Sequence, residues 1–287
     1  MGLRASALAS VGYLPPVLWR PAARLGGEVV ARRPPRPIRQ WQLNAAVMTG
    51  SRPDRAMTAA AVRSWSRTLV TSMQLAHWSA RRIDESVRID PEALAVLLRE
   101  HRSCGVVLAL PHMGSWDLAG AWAARRGLAP SVVAEALPDG QFEVFVRARE
   151  RMGMTVHGHR DEGLVHALLG DLDRGHAVCL VSDRDFSRHG VPMTWPTARG
   201  RVSATMPAGP AHIAAATGAA LVAVASHYDG PRTMVLELSD PIDLGVGPRA
   251  RQVSRGTQAL ADWFAARIRD HVVDWHMLQP FFPGVRA

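Results

Sequence analysis

The stretch from Val106 to Asp117 constrains this chain more than any other. Val106-Val107-Leu108-Ala109-Leu110 is a short apolar run that stops at Pro111, and Leu118-Ala119-Gly120-Ala121-Trp122-Ala123-Ala124 resumes as helical sequence. The pattern predicts a buried strand, a turn and a helix. His112 and Asp117 fall in that turn, at the carboxyl end of a strand, where α/β sheets place their chemistry. On one continuous helix the two would stand about 140° apart. With His112 in the turn and Asp117 in the first helical turn, the carboxylate can fold back onto the imidazole. So held, the ring keeps one tautomer and its other nitrogen becomes a general base. The helix N-terminus adds unpaired N–H groups able to hold an oxyanion. The same residues equally suit a buried histidine next to an aspartate that caps a helix.

At 287 residues the chain has room for one large α/β domain or two small ones. Its 47% hydrophobic and 21% charged residues are globular values. The net charge of +9 comes entirely from arginine, since no lysine occurs. Surplus arginine favours anionic company: lipid headgroups, cofactor phosphates or nucleic acid. Nucleic acid fits least, because the arginines are scattered and no helix-turn-helix, RNA-recognition or zinc-finger signature is present. Cys104 and Cys179 lie in apolar runs and are expected as buried thiols in a reducing compartment. No run of about 18 apolar residues is present to span a membrane. The first residues also lack the apolar core and cleavage site of a secretory signal.

Residues 1–100 read as an N-terminal helical portion and 101–287 as an α/β core, together one structural domain. Near the N-terminus Leu14, Val17, Leu18, Trp19, Leu25, Val29 and Val30 combine with Arg20, Arg24, Arg32 and Arg33, a composition suited to a membrane interface or to an ordinary helical packing unit. Pro15, Pro16, Pro21 and Gly26-Gly27 are expected to break any long helix there, and Arg32 to Pro37 reads as a stiff basic linker. Helical periodicity runs from Gln40 to about Ile83, divided at Arg52-Pro53-Asp54. Asp90-Pro91-Glu92 starts another helix. Beyond Asp117, strands are expected at Ser131–Glu135, Met154–His157, Ala177–Ser182, Ala219–Ser226 and Thr233–Leu238, with helices between them and a last helix from Arg251 to Val273. Strands alternating with helices at this pitch imply a mostly parallel sheet with flanking helices.

Other candidate chemistry is sparse. Asp183-Arg184-Asp185 ends the Ala177–Ser182 strand and resembles the metal-binding acid pair of nucleotide-sugar glycosyltransferases, without a sugar-nucleotide loop to accompany it. Arg184 between two acids suits a phosphate or simple neutralisation. His157-Gly158-His159 has no third ligand at a usual zinc spacing, so no metal site is expected. G-x-S-x-G, G-x-G-x-x-G after a strand, and Walker A sequences are all missing.

His112-Met113-Gly114-Ser115-Trp116-Asp117 resembles the H-x4-D/E block of the lysophospholipid acyltransferase superfamily, in the branch of lipid A late acyltransferases. Four later segments resemble, in the same order, the actinobacterial phosphatidylinositol mannoside acyltransferases: Val133-Ala134-Glu135, Asp183-Arg184-Asp185, Met206 to Ala211, and Asp274-Trp275-His276-Met277-Leu278-Gln279-Pro280. The likeness covers about residue 105 to the C-terminus and extends weakly upstream to about 40. It implies a glycerolphosphate acyltransferase-like fold. It also implies transfer of a long acyl chain from acyl-CoA to a sugar hydroxyl of a glycolipid, on the cytoplasmic face of the cell membrane. His112 and Asp117 would be catalytic, with Glu135, Arg184, Asp183, Asp185 and Trp116 binding substrate. Partners would be acyl-CoA as co-substrate, a glycolipid acceptor and an anionic membrane surface, with no cofactor and no nucleic acid.

Departures from the family pattern fall where donor and acceptor would be gripped. Ala136 stands where relatives often carry a basic residue, Thr205 where another is expected, and Val191-Pro192-Met193-Thr194-Trp195 lacks a carboxylate that some relatives have. They bear on the acceptor more than on the reaction. Alternative expectations are another glycolipid or lysolipid acceptor, a non-catalytic lipid-binding paralogue, and a metal-dependent glycosyltransferase.

Overall fold

Two apolar stripes on the central strand decide the layers. In β2 (Val106–Leu110), Val107 and Ala109 enter one core while Val106 and Leu108 enter the other, as the two-residue period of a strand buried on both faces requires. The computed structural model describes residues 16–135, 141–185 and 190–287. Leu14, Pro15 and Ala136, which figure in the sequence reading, lie outside the described residues.

The chain begins with α1 (Pro16–Arg32), α2 (Arg36–Thr49), α3 (Arg55–Gln74) and α4 (Ala80–Glu85), followed by the short strand β1 (Val87–Ile89) and α5 (Pro91–Cys104). After β2 come α6 (Trp116–Arg125), β3 (Pro130–Ala134), α7 (Gln141–Arg151), β4 (Thr155–Gly158), α8 (Leu164–Asp173) and β5 (Ala177–Val181). An antiparallel hairpin, β6 (Val191–Thr197) and β7 (Gly200–Met206), leads to α9 (Gly209–Thr217), β8 (Ala220–Asp229), β9 (Thr233–Leu238) and α10 (Arg249–Asp270). The main sheet has seven strands in the order β1-β9-β8-β2-β5-β3-β4. All its pairings are parallel except β8 with β9. The mostly parallel sheet with flanking helices is therefore the architecture expected from the strand–helix alternation.

One face carries α2, α9, α10 and the hairpin over Trp41, Trp195, Phe264 and Trp275; the other carries α5 and α6 over Leu97, Leu118 and Trp122. Phe264 is wholly buried, and truncation of such a ring to alanine costs about 3–5 kcal/mol.

Several local expectations are corrected. α1 runs through Pro21 and Gly26-Gly27 without a break. A Cβ on Gly27 would lie 2.9 Å from the Ala59 carbonyl oxygen, so the glycine that looked like a breaker is where α1 and α3 pack closest. Cys104 is exposed, not buried, because it ends α5 on the solvent side. β1, inside the portion expected to be helical, is an edge strand of the core sheet, and the β6–β7 hairpin had no counterpart in the sequence reading.

Candidate active site

Parallel register builds the site. Leu110 of β2 pairs with Val181 of β5, and the Ser182 N–H donates to the Leu110 carbonyl at 2.8 Å. Two residues beyond each register partner stand His112 and Asp183, so the two strand ends deliver them side by side. The imidazole Nδ1 lies 2.5 Å from Asp183 Oδ1. Asp183 Oδ2 accepts from the His112 backbone N–H at 3.0 Å and from the Trp275 indole N–H at 2.9 Å. Burial alone would raise the Asp183 carboxyl, but the charge and two hydrogen bonds of His112 and the bond from Trp275 outweigh it and hold it below the usual carboxylate range. An ionised acceptor at Nδ1 fixes the proton there and leaves Nε2 as the ring nitrogen with a lone pair.

Asp117 does not take that role. It is almost wholly buried, and its Oδ1 lies 2.6 Å from Arg149 Nε on α7; the carboxylate that the imidazole meets is that of Asp183. The expectation that the acid five positions later orients the ring is thus corrected. The first turn of α6 aims Asp117 across the cavity at α7, while the turn aims His112 at β5. The α6 N-terminus is also less open than expected, since the Leu118 N–H is taken by Ser115 Oγ and the Gly114 N–H by the Asp274 carbonyl.

A strap from Val272 to Gln279 closes the back of the site. Met113 and Trp275 form an antiparallel bridge, and the His276 N–H donates to the His112 carbonyl at 2.7 Å. Asp274 is locked by Ser64 Oγ at 2.5 Å and the Tyr228 N–H at 2.9 Å; burial nonetheless raises its carboxyl and pushes the Tyr228 hydroxyl up to about 12. His276 contacts Thr68 Oγ1 at 3.1 Å and packs against Trp65, with ring centroids 5.1 Å apart. Burial pushes its imidazole down to about 3, so the ring is neutral. The helical N-terminal portion anchors this strap from outside, through Trp41 Nε1 to the Trp275 carbonyl at 2.9 Å and Asn44 Nδ2 to the Met277 carbonyl at 3.0 Å.

His112 faces a cavity of about 1380 Å³. Its lining is largely apolar, with Leu97, Leu108, Leu128, Val132 and Leu236, and also carries the charged Glu135, Arg149, Arg160, Arg184 and Asp185. Of the seven residues expected at the site, six line this cavity: His112, Asp117, Trp116, Glu135, Arg184 and Asp185. The Trp116 ring stands nearly perpendicular to His112 at 6.0 Å. Asp183 sits behind His112 and off the cavity wall, so its assignment to substrate binding is corrected. With both its oxygens engaged by His112 and Trp275, it cannot serve as half of a chelating acid pair, which removes the glycosyltransferase reading. His157, once half of a possible zinc pair, lies 2.6 Å from Asp171 Oδ2 instead. Arg149, Trp275 and His276 escaped the sequence-based assignment of roles; an acid directly after the neighbouring apolar run was the one available signal for the Asp183 pairing.

An imidazole backed by a buried carboxylate, at the carboxyl edge of a parallel sheet and over a largely apolar cavity, defines the site of this α/β protein. The model of the bacterial lipid A biosynthesis acyltransferases matches residues 3–283, and the chain belongs to that family. It is similar to the phosphatidylinositol mannoside acyltransferase of Mycobacterium tuberculosis H37Rv, 39% identical over 184 residues, which are 61% of this chain and 54% of that protein. It is equally similar, 39% over 181 residues, to the protein of that name from Mycolicibacterium smegmatis, covering 56% of it. The match thus spans about half the length of these relatives.

Proposed function

We propose that the chain is an acyl-CoA-dependent O-acyltransferase that moves a long fatty acyl chain onto a sugar hydroxyl of a glycolipid such as a phosphatidylinositol mannoside. The carrying observation is the His112–Asp183 pair beside the largely apolar cavity. In this reading the acyl chain lies against Leu108, Leu128 and Val132, with the thioester carbonyl near His112. Nε2 takes the proton of the acceptor hydroxyl as its oxygen attacks the carbonyl carbon, and Asp183 stabilises the resulting imidazolium. The tetrahedral intermediate collapses with cleavage of the C–S bond, and the imidazolium returns the proton to the departing CoA sulfur. General-base assistance of this kind contributes about 10²–10⁴-fold. The thioester is already activated, so the scheme needs no covalent enzyme intermediate and no metal. Arg149 and Arg184, both on the cavity wall, are assigned to the developing oxyanion and the CoA phosphates. Glu135 and Asp185, on the same lining, are assigned to the acceptor sugar.

The acceptor's lipid places the reaction at a membrane. Among the described residues no helix is long and apolar enough to cross one. Leu18, Leu25 and Val29 of α1 are exposed beside Arg20, Arg24 and Arg32, a combination that suits an anionic bilayer surface. We assign the protein to the cytoplasmic face of the cell membrane, bound peripherally.

The test mixes purified protein with palmitoyl-CoA and phosphatidylinositol mannoside and follows free CoA with a thiol reagent. Acceptor-dependent release, lost in His112→Ala with unchanged circular dichroism, is the expected result. Release without acceptor indicates a thioesterase, and no release with any glycolipid or lysolipid indicates a binding protein; either outcome overturns the proposal.

A further inference from the structure

Away from the cavity, three side chains from three elements converge. Ala225 is the register partner of Glu237 across β8 and β9, so His227, two residues on, lies diagonally opposite Glu237 on the same sheet face. His271, the residue that ends α10, comes down onto the same spot. His227 Nδ1 is 3.2 Å from Glu237 Oε1, and His271 Nε2 is 3.7 Å from the same oxygen. One donor atom from each residue falls within a 4.8 Å group. His227 Nδ1 is buried and makes no hydrogen bond of acceptable geometry. None of the three residues lines the substrate cavity.

From this geometry we propose that His227, Glu237 and His271 form a binding site for a divalent cation of the zinc class, with the remaining coordination position open to solvent. Two imidazole nitrogens and a carboxylate oxygen are a zinc donor set, and bonds of about 2.0–2.1 Å in tetrahedral array put donor atoms about 3.3 Å apart, between the two separations found. The imidazoles now stack face to face, with centroids 3.6 Å apart and planes 5° from parallel. Aiming both lone pairs at one ion requires the rings to open about χ2, and His271, about one third exposed, has room to turn. Arg267 Nε, 3.4 Å from Glu237 Oε2, steadies the carboxylate oxygen that faces away from the ion, as outer partners of metal ligands do.

The place of this cluster gives the ion a consequence. The Asp274 N–H donates to the His271 carbonyl at 2.9 Å, and the N–H of Tyr228, next to His227, donates to Asp274 Oδ2 at 2.9 Å. Cross-linking His227 to His271 therefore clamps the start of the strap that presents Trp275 to Asp183. The ion's role is to stiffen the strap, not to touch substrate.

The test uses the full chain without a histidine tag in metal-free buffer, titrated with Zn²⁺ by calorimetry and with Co²⁺ by visible absorption. One Zn²⁺ per chain, the intense bands of four-coordinate Co²⁺, and a rise in melting temperature with Zn²⁺ are the expected results. His271→Ala and Glu237→Gln each lose more affinity than the about 10–100-fold that removing an outer partner of a ligand costs, while His176→Ala, outside the cluster, binds as before. No binding up to about 100-fold over protein, or binding undiminished in the His227→Ala/His271→Ala variant, overturns the proposal.

Discussion

His112 and Asp183 are held at 2.5 Å by strand register rather than by their neighbourhood in sequence, each standing two residues past the paired Leu110 and Val181. Asp183→Asn keeps the volume but offers an amide where Nδ1 now meets a carboxylate. The ring is then free to carry its proton on Nε2, where it cannot act as a base. CoA release should fall by about 10²–10⁴-fold, with the proton shift visible in ¹⁵N spectra of the imidazole. Asp117→Asn should reduce turnover less and leave the tautomer unchanged. A larger loss in Asp117→Asn would restore the pairing read from the H-x4-D spacing.

Asp117 and Arg149 form a buried ion pair, with side chains 5% and 16% exposed. Removing the acid takes away the carboxylate that Arg149 Nε meets at 2.6 Å, so Asp117→Ala should destabilise the fold by about 2–3 kcal/mol. Arg149→Met should cost at least as much, since it strips the cation from the more deeply buried Asp117 carboxylate, and the double variant should recover part of the loss of either single change. Urea denaturation of the four proteins closes the cycle; strictly additive losses would mean that the pair carries no coupling energy.

Much of this was legible because local patterns decide it. The apolar run ending at Pro111 and the Asp90-Pro91-Glu92 start belong to residues near in sequence, and strand β2 with helices α5 and α6 stands where these signals put them, although Ser115 rather than Asp117 caps α6. Which strand lies beside β2 is a non-local fact: residues 111–176 lie between the end of β2 and the start of β5, and nothing in either run names the other. The histidine's partner was therefore sought along the chain, while the fold supplied it from across the sheet. The hairpin was missed for a local reason, since Pro192 and Pro196 in β6 argue against a strand unless it lies at an edge, which is where this two-stranded unit leaves it.

Trp275 makes one polar contact that matters for Asp183, the indole N–H at 2.9 Å. Trp275→Phe keeps an aromatic ring in place and deletes that donor, at a cost of about 1–3 kcal/mol for a buried carboxylate left short of a partner. Asp183 has a folded pKa below its unfolded value, so its contribution is present above the unfolded value and lost as pH falls through the folded one. With a donor gone the folded value rises toward the unfolded one, and acid unfolding should begin at higher pH in the variant. Coincident acid limbs after normalising for stability at pH 7 would remove Trp275 from the group that holds the carboxylate.

His276 should dominate the pH dependence in the neighbouring range. Its folded value is about 3 against 6.5 for the free side chain, so between those limits the unfolded chain takes up a proton that the folded one refuses. Stability therefore falls as pH drops below about 6.5, with a limiting slope of about 1.4 kcal/mol per pH unit from this group alone. At pH 7.5 the group is neutral in both states and contributes no slope. His276→Asn keeps a polar side chain opposite Thr68 and removes the titration. Its stability at pH 7.5 will differ from that of the parent, but the slope between pH 5 and 6.5 should be shallower by about one proton. Equal slopes in the two proteins would mean that the ring beside Trp65 and Trp116 accepts its proton in the fold, and that the wall next to His112 is open to water.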